Sequence, residues 1–435
     1  MELILNTISK RSFYPWIVIG FSSLFLFYKY VLQVSPSVMT NQLMQHFHLD
    51  GVGLGNLAAI YFYTYLVMQL FAGPLLDRFN AKNMTVMAII ISAVGAVLFA
   101  SADSLMAAWF ARACIGLGAA FATVSYMKMT SIYFKPERFA LIGGLLATAA
   151  MLGSMGGEAP LALLIKVSGW QKSMLYCGYA GIVFAALFFL IVKNKASESN
   201  DIAPQTMTWQ DVVTILKKKG NWLMMLYSGF AFVPLSLFGG LWGNPFLEAA
   251  YNLNTMSAST LTTIMFLGLA IGSPLFGYLS DIFHDRLRLM SLGLWISIVS
   301  ILAVLYIPHL NYFFLALFLF IFGLGSGAFM LCFAVGRDMN NVALMATVAS
   351  LLNTGEPILG AFSDPLVGKF LDTLWHGKVV HGVDIFSAFD YRVSLLVLPA
   401  YLFFALICLR LLRYTKEGAV FFNITTKKKQ TPIIA

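Results

Sequence analysis

The chain has 435 residues, of which 59% are hydrophobic and 11% are charged, and its mean hydropathy is +0.80. A soluble chain carries about 25% charged residues, so this composition excludes a globule that keeps its apolar surface from water. The apolar residues show no two-residue alternation over ten-residue blocks, which favours transmembrane helices over a β-barrel.

Twelve apolar segments follow one another, each close to the ~20 residues that cross a ~30 Å hydrocarbon core. We predict an all-α membrane protein with helices over 14–38, 51–73, 83–102, 105–130, 138–165, 173–193, 221–246, 256–278, 288–308, 311–335, 341–364 and 391–413. The four cysteines lie inside these segments and fit small core residues better than disulfides or metal ligands.

A polar stretch over 194–220 separates the first six helices from the last six. It predicts an N-terminal bundle over 1–193, a cytoplasmic linker over 194–220, and a C-terminal bundle with a cytoplasmic tail over 221–435. Within the linker, Thr208 to Lys219 combines an apolar face with a lysine run. This pattern fits a short helix on the membrane surface and a solvated linker equally well.

The basic residues predict the orientation. With an even number of spans both termini share one side, and that side collects most lysines and arginines, while the other holds Lys166, Lys172, Lys369, Lys378 and Arg392. The positive-inside rule therefore places both termini in the cytoplasm, in the inner (cytoplasmic) membrane. The net charge of +9 mostly reflects this topology, so we expect no nucleic-acid partner. The external loop 365–390 holds His and Asp residues, but their spacing favours a solvated loop over a metal site.

Two loops, at 73–82 and 277–286, resemble each other: each has a Gly, an Asp four residues on, and a basic residue five residues further. This duplicated Gly-x-x-x-Asp loop resembles the cytoplasmic 2–3 and 8–9 loops of the major facilitator superfamily. The resemblance implies two pseudo-symmetric six-helix bundles. It also implies gating residues that lock the inside closed, namely Asp77, Arg78, Lys82, Asp281 and Arg286. The first copy departs from the pattern, with Asn80 where a Gly is usual.

Charges inside the membrane cost about 2.5–3.5 kcal/mol on insertion scales, so each is a functional candidate. Lys29 lies about 15 residues, or ~22 Å, into the first helix, near mid-bilayer, with Gln33 among its polar neighbours. The segment 28–37 resembles the first helix of bacterial organic-anion transporters of the superfamily, which commonly carry a basic residue there. The resemblance implies a cationic anchor for an anionic substrate. The alternative is a structural lysine paired with a carboxylate.

The fourth helix carries two further cations. Lys128 stands in a run that resembles a set of bacterial facilitators with a lysine at this place, and it lies close enough to the cytoplasmic end to snorkel. Together with Lys29 it would give two cations facing one cavity, which would suit a carboxylate or phosphate. Arg112 fits the superfamily's Arg-x-x-x-Gly-x-Gly pattern, which is linked there to proton coupling. Glu158 lies at similar depth on the antiparallel fifth helix. An Arg112–Glu158 pair would be either a proton relay or a buried ion pair.

The eleventh helix carries Glu356 near mid-depth, beside Asn353. A carboxyl in hydrocarbon can exchange protons near neutral pH, which makes Glu356 our first candidate for the proton site. The alternative is a hydrogen-bonded Glu at a turn distorted by proline. We take Asn353 as a substrate contact.

The seventh helix contains a Gly- and Pro-rich run over 239–246, which is predicted to break it near its outer end. Trp242 and Asn244 are therefore candidates for substrate contacts or an outer gate. Tyr61 and Tyr65 on the second helix also offer polar aromatic surface to a substrate, although aromatic packing alone accounts for them as well.

These observations predict a secondary transporter that takes up a small anionic organic solute with protons by alternating access. The fifth helix lacks the Gly-Pro-x-x-Gly-Gly signature of drug antiporters, which makes a proton-coupled exporter of drugs or metabolites the second choice. A membrane enzyme or a sensor is the alternative of another class, and it lacks the clustered catalytic residues such proteins need. We expect no enzyme activity, no cofactor, and a monomer whose partners are the substrate, protons and the lipid bilayer.

Overall fold

The computed structural model describes residues 2–134, 139–193, 209–340, 345–380 and 383–415. Side chains at 2–12, 77, 139–141, 143–144, 209–212, 345–346 and 383 lie outside the description. The chain forms two compact units, one of residues 1–198 with 381–383 and one of residues 199–380 with 384–435. The predicted capping residue Thr208 and the linker segment 194–208 lie outside the described residues, so the predicted domain boundaries stay a prediction.

The described part of the first unit is predominantly helical. Its helices are α1 (Glu2–Val34), α2 (Thr40–Phe47), α3 (Gly51–Arg78), α4 (Ala81–Ala100), α5 (Leu105–Ala119), α6 (Phe121–Tyr133), α7 (Phe139–Gly156), α8 (Ala159–Ser168) and α9 (Trp170–Ile191). A 3₁₀ turn, Ser35–Val38, joins α1 to α2. Helix α1 packs against α7 and α6, and α4 packs against α5 and α9.

The second unit repeats this order. Its helices are α10 (Trp209–Lys217), α11 (Lys219–Leu237), α12 (Gly243–Tyr251), α13 (Thr255–Phe283), α14 (Arg286–Tyr306), α15 (Tyr312–Ser326), α16 (Leu331–Met339), α17 (Met345–Asn353), α18 (Gly355–Leu374), α19 (Ala388–Ser394) and α20 (Val397–Leu412). A π-helical turn, Phe238–Trp242, joins α11 to α12. A short hairpin of β1 (Val379–Val380) and β2 (Val383–Asp384) follows α18.

The N-termini of corresponding helices are capped in the same way in the two units. In the first unit α3, α4 and α5 are N-capped by Asp50, Asn80 and Ser104, whose side chains each accept from the backbone N–H three residues on. In the second unit α13, α14 and α15 are capped in the same way by Asn254, Asp285 and Asn311. Such caps satisfy backbone donors that the helix leaves open, at about 1 kcal/mol each.

Helix packing repeats as well. Glycines at the end of α5, Gly116 and Gly118, bring that helix against the backbone of α3 and α4, where a Cβ would clash with the carbonyls of Tyr61 and Ala88. In the second unit Gly323 and Gly325 do the same against the carbonyls of Met265 and Gly293. Small residues allow this close helix contact in membranes. Each unit therefore has its own Gly-x-Gly pair that allows close contact between helices.

Eleven stretches of the described residues are long and apolar enough to span a membrane. The remaining predicted segment, 341–364, corresponds to α17 and α18, which carry Glu356, Asp364, Lys369 and Asp372. These charges lower the hydropathy of that segment, which is helical on both sides of Thr354. The nearly all-helical architecture with repeated units confirms the predicted fold class.

Several predicted boundaries were wrong. The seventh span is not broken at 239–246, because helical hydrogen bonding continues through the π turn and α12. The fifth and eleventh spans, predicted as single helices, are each divided, at 157–158 and at Thr354. The loop that was predicted over 365–390 is shorter, because α18 runs through Pro365 to Leu374. In the predicted surface segment, the α-helix ends at Lys217 and the next begins at Lys219.

Candidate functional site

Lys29 is buried in the first unit, with 4% of its surface exposed. Its Nζ lies 3.8 Å from the ring centroid of Tyr30 and 4.9 Å from that of Tyr65. A cation over an aromatic face gains about 0.5–2 kcal/mol, more when it is desolvated, which offsets part of the cost of burying the ammonium group. The ammonium group therefore lies among tyrosine rings of α1 and α3.

The tyrosines of α3 extend this cluster. Tyr61 and Tyr65, one helical turn apart, stack with centroids 5.9 Å apart and an interplanar angle of 22°. The Tyr61 hydroxyl donates to Gln33 Oε1 at 3.1 Å, and both side chains are buried. The guanidinium carbon of Arg112 lies 5.3 Å from the Tyr61 ring centroid. The two stacked rings thus connect Lys29 to Arg112 through continuous contacts within one unit.

Arg112 is held by the backbone of α1. It is 1% exposed, and its Nη1 donates to the carbonyl oxygen of Leu32 at 3.0 Å. In a continuous α-helix that carbonyl would accept from the N–H four residues on, but this residue is Pro36, which has none. The Ser35 hydroxyl donates to the same oxygen at 3.0 Å. The proline at the end of α1 therefore frees the acceptor that Arg112 uses.

Glu158 lies at the interruption between α7 and α8 and is 0% exposed. The Ser37 hydroxyl donates to its Oε1 at 2.7 Å, which ties the carboxyl group to the 3₁₀ turn after α1. The neighbouring Gly157 packs directly on Val31 and Val34 of α1. Arg112 and Glu158 thus both contact the end of α1, and their direct pairing stays a prediction.

The other predicted groups occupy less enclosed positions. Lys128 is half-buried on α6. Glu356 is half-buried in the first turn of α18, directly after the helix interruption, and Asn353 is the half-buried last residue of α17. Glu158 is therefore the more enclosed of the two candidate proton carriers, whereas the sequence placed Glu356 first.

In the second unit the π turn presents a buried tryptophan. Trp242 is 0% exposed, and its indole Nε1 has no hydrogen-bond partner among the described residues. A Cβ added to Gly240 in the same turn would meet nothing within 4 Å, so open space lies beside the turn. Asn244 follows, with its Oδ1 accepting from the Thr262 hydroxyl at 3.0 Å. Irregular helical turns of this kind are frequent at functional sites.

The two units differ at the positions of the buried cations. Six residues before the distorted turn, the first unit has Lys29 and the second has Phe232. Four residues before the Gly-x-Gly pair, the first unit has Arg112 and the second has Leu319, and both apolar residues are buried. The fold therefore forms with apolar side chains at these places, and the two cations are a feature of the first unit alone.

The predicted gating residues make contacts of differing kinds. Arg78 Cζ lies 5.8 Å from the ring of its neighbour Phe79, Lys82 Nζ lies 4.2 Å from the ring of Phe189, and the side chain of Asp77 lies outside the described residues. Arg286 forms a salt bridge with Asp338 at the end of α16 and interacts electrostatically with Asp281.

Sequence reasoning missed two polar residues at these sites, Thr262 and Asp338, as well as the freed carbonyl group of Leu32 and the bond from Ser37 to Glu158. Asp338 had a signal, because it follows Arg337 at the end of a span. The others are contacts across helices, which spacing along the chain does not reveal. Within the part of the chain that the structure describes, no three His, Cys, Asp or Glu residues group as a metal site would require.

Comparison with known proteins agrees with this architecture. The family model of the Major Facilitator Superfamily matches residues 16–244 and 235–435. The chain belongs to that superfamily, and it is a membrane transporter of this type, not an enzyme.

Individual relatives are distant. The chain is 23% identical over 247 residues to the hexuronate transporter of Bacillus subtilis (strain 168), covering 55% of this chain and 58% of that one. It is 24% identical over 399 residues to the 4-hydroxybenzoate transporter PcaK of Pseudomonas putida, covering 83% and 82%. Over the first relatives matched, the chain spans only 58% to 66% of their length.

Among solved structures, a bacterial homolog of the human lysosomal transporter Spinster, in an inward-facing and occupied conformation, matches with a TM-score of 0.72. The sequence identity is 18%, and the match covers 97% of this chain and 99% of that one. At this identity the likeness shows the fold alone.

Proposed function

We propose that this transporter takes up a small organic anion, a carboxylate in the first instance, together with protons and by alternating access. The observation that carries the proposal is the buried cationic cluster of the first unit, in which Lys29 and Arg112 are joined by the stacked rings of Tyr61 and Tyr65.

Lys29 is the proposed anchor for the anionic group. Burying an ammonium group is costly, and the second unit has the buried, apolar Phe232 at the corresponding place before its own distorted turn, which supports a functional role for the charge. A bound carboxylate would accept a charge-assisted hydrogen bond from the ammonium group. The names of two distant relatives, transporters of hexuronate and of 4-hydroxybenzoate, support a carboxylate as the substrate class.

Arg112 and Glu158 are the proposed proton-coupling groups. Both attach to the end of α1, Arg112 through Leu32 and Glu158 through Ser37, so a change in the charge of Glu158 would act on the helix that carries Lys29. Glu356 is the second candidate for the proton carrier. Trp242, Asn244, Asn353 and Lys128 remain predicted substrate contacts, with the Trp242 N–H as a donor for a substrate oxygen.

The test is transport by the purified full chain in proteoliposomes. A panel of carboxylates that includes 4-hydroxybenzoate and a hexuronate is first screened by thermal shift, because a specific ligand stabilises the protein by mass action. Labelled hits are then assayed for accumulation under an imposed pH gradient, with and without a sodium gradient. We expect accumulation toward the alkaline side and substrate exchange without a gradient.

Other outcomes would contradict parts of this proposal. Accumulation that needs sodium and ignores the pH gradient would remove the proton coupling. Binding confined to neutral or cationic compounds would remove the anionic substrate. Substrate movement only against inward proton flow would favour the proton-coupled exporter.

A further inference from the structure

The end of α16 is attached to the beginning of α11 by a pair of asparagine side chains. Asn340, directly after α16, donates from its Nδ2 to Asn221 Oδ1 at 2.7 Å, and Asn221 Nδ2 donates to Asn340 Oδ1 at 3.2 Å. Asn221 is 0% exposed, and a buried amide that lost its partner would be costly. Lys218 donates from its Nζ to the carbonyl oxygen of Met339 at 3.1 Å and to Asn340 Oδ1 at 3.0 Å, which places a cation at the C-terminus of α16. We call Lys218, Asn221 and Asn340 the asparagine junction.

The asparagine junction also holds the end of α10. Asn221 Nδ2 donates to the carbonyl oxygen of Ile215 at 3.0 Å, and the neighbouring Trp222 donates from its Nε1 to that of Leu216 at 2.7 Å. Both carbonyl groups belong to the last turn of α10, where a helix leaves its acceptors without partners of its own. Three helices of the second unit, α10, α11 and α16, therefore meet at one polar junction.

The first unit has an attachment at the corresponding place, the end of α6, which like α16 follows the Gly-x-Gly pair of its unit. Tyr133, the last residue of α6, donates from its hydroxyl to the carbonyl oxygen of Lys193 at 2.8 Å. The N–H of Lys193 donates to the hydroxyl of Tyr14 on α1 at 2.6 Å, and the rings of Tyr14 and Tyr133 lie 5.8 Å apart. In both units this helix end is therefore attached to the first long helix of the unit, with different side chains.

The asparagine junction lies next to a predicted gate. Asp338, two residues before Asn340, forms the salt bridge with Arg286, the first residue of α14. Because adjacent Cα atoms are only about 3.8 Å apart, the end of α16 cannot move away from α11 without displacing the Asp338 carboxylate. At the other end of α16, Cys332 is 0% exposed and lies beside Ser228 of α11. The burial of Cys332 thus reports on the contact between α16 and α11.

We propose that the asparagine junction positions the Arg286–Asp338 gate. By holding the end of α16 on α11, it sets how readily that end of the second unit opens during transport. Its members are positioning residues that act through Asp338 and do not touch the substrate. Neutral amides suit a contact that breaks and re-forms, because an opened pair leaves no isolated charge behind. The inference rests on the gating role predicted for Arg286, and it is independent of the substrate and of proton coupling.

The test measures how fast Cys332 reacts with N-ethylmaleimide, because a buried thiol is labelled only when the structure around it opens. The purified full chain is labelled in detergent without substrate, and peptide mass spectrometry follows each of the four cysteines separately. For Asn340→Ala we expect labelling of Cys332 to be about 10-fold faster, which corresponds to about 1.4 kcal/mol. The rate at Cys408, a buried cysteine of α20, should stay unchanged.

Further variants test whether the asparagine junction acts as one unit and through the gate. Asn221→Ala should match Asn340→Ala, and the two together should add little, since they remove the same pair. Asp338→Ala should also accelerate the labelling of Cys332, and Asn340→Ala should add little to its effect. Asn340→Asp keeps the acceptor oxygen that Lys218 uses and should give an intermediate rate.

Asn83→Ala, at an exposed asparagine of α4, is the matched control and should be labelled like the unmodified chain. An unchanged rate at Cys332 in Asn340→Ala, equal acceleration at Cys408, or fully additive effects of Asn340→Ala and Asp338→Ala would each overturn the proposal. Because no substrate enters the assay, a failure of the proposed anion transport would leave this result standing, and the reverse also holds.

Discussion

The guanidinium of Arg112 donates to the carbonyl oxygen of Leu32 at 3.0 Å, across from α5 to α1. That carbonyl is available because Pro36, four residues later, has no N–H to offer it. A proline at the end of the first helix thus determines where a buried charge on another helix is held. In the second unit, where Leu319 takes the place of Arg112, no such acceptor is needed.

Pro36→Ala should release Arg112. The new N–H at position 36 can complete the helix by donating to Leu32, and Arg112 then loses that carbonyl to a competitor. We expect weaker coupling of accumulation to the pH gradient, while exchange of substrate for substrate continues. The measurement is the ratio of these two rates in proteoliposomes. Pro234→Ala, which removes a proline from the first long helix of the second unit, is the matched control.

A double variant distinguishes positioning from general damage. If Pro36 acts through Arg112, then Pro36→Ala should add little to the loss caused by Arg112→Leu, a substitution that copies the second unit. Fully additive losses would show that Pro36 acts independently of Arg112.

Lys29→Ala should weaken substrate binding by about 10- to 100-fold, because a hydrogen bond to a charged group contributes about 1.5–3 kcal/mol. Lys29→Arg should keep part of the affinity, since it keeps the charge. Isothermal titration with the ligand found by thermal shift measures both. Lys172→Ala, at an exposed lysine, is the control. Unchanged affinity in Lys29→Ala would rule out the anchor role.

Glu158→Gln and Glu356→Gln separate the two candidate proton carriers. A neutral amide keeps hydrogen bonding but cannot cycle a proton, so the variant of the true carrier should exchange substrate yet fail to accumulate it under a pH gradient. The structure favours Glu158, because its carboxyl is fully buried and bonded to Ser37. Pyranine-reported proton flux gives the readout. If both variants accumulate substrate normally, neither Glu158 nor Glu356 carries the coupled proton.

Gly116→Ala and Gly323→Ala should destabilise the protein to a similar degree, by about 1–3 kcal/mol each, the usual cost of overpacking. The added Cβ meets the carbonyl of Tyr61 in one unit and that of Met265 in the other. Gly20→Ala is the control, because nothing lies within 4 Å of its added Cβ. Unfolding in mild detergent compares the three. A neutral result at Gly323 alone would argue against equivalent packing in the two units.

Much of the fold could be predicted from the sequence, because span length and hydropathy are local properties. The predicted helices over 51–73 and 256–278 correspond to α3 and α13, although both helices continue for several residues further. Boundaries at prolines were less reliable. Pro365 lies inside α18 and Pro245 inside α12, since neighbouring helices can satisfy the backbone groups that a proline frees.

The sequence was enough to predict which residues belong to the candidate site, but not which residues they contact. Lys29, Arg112 and Glu158 stood out because charge inside hydrocarbon is costly wherever it occurs. Their partners could not be inferred in the same way. Tyr65, Leu32 and Ser37 are brought to them by helices that meet only after folding.

The sequence by itself determined the class of protein, through its hydropathy, its two sets of six spans and its duplicated loop. Only the tertiary structure decided that the buried cations of the first unit share one tyrosine stack, that Pro36 supplies the acceptor for Arg112, and that Glu158 is more enclosed than Glu356. The physical reason is that burial in lipid depends on the total apolar character of each segment. A hydrogen bond or a cation–π contact depends instead on ångström-scale distances between helices.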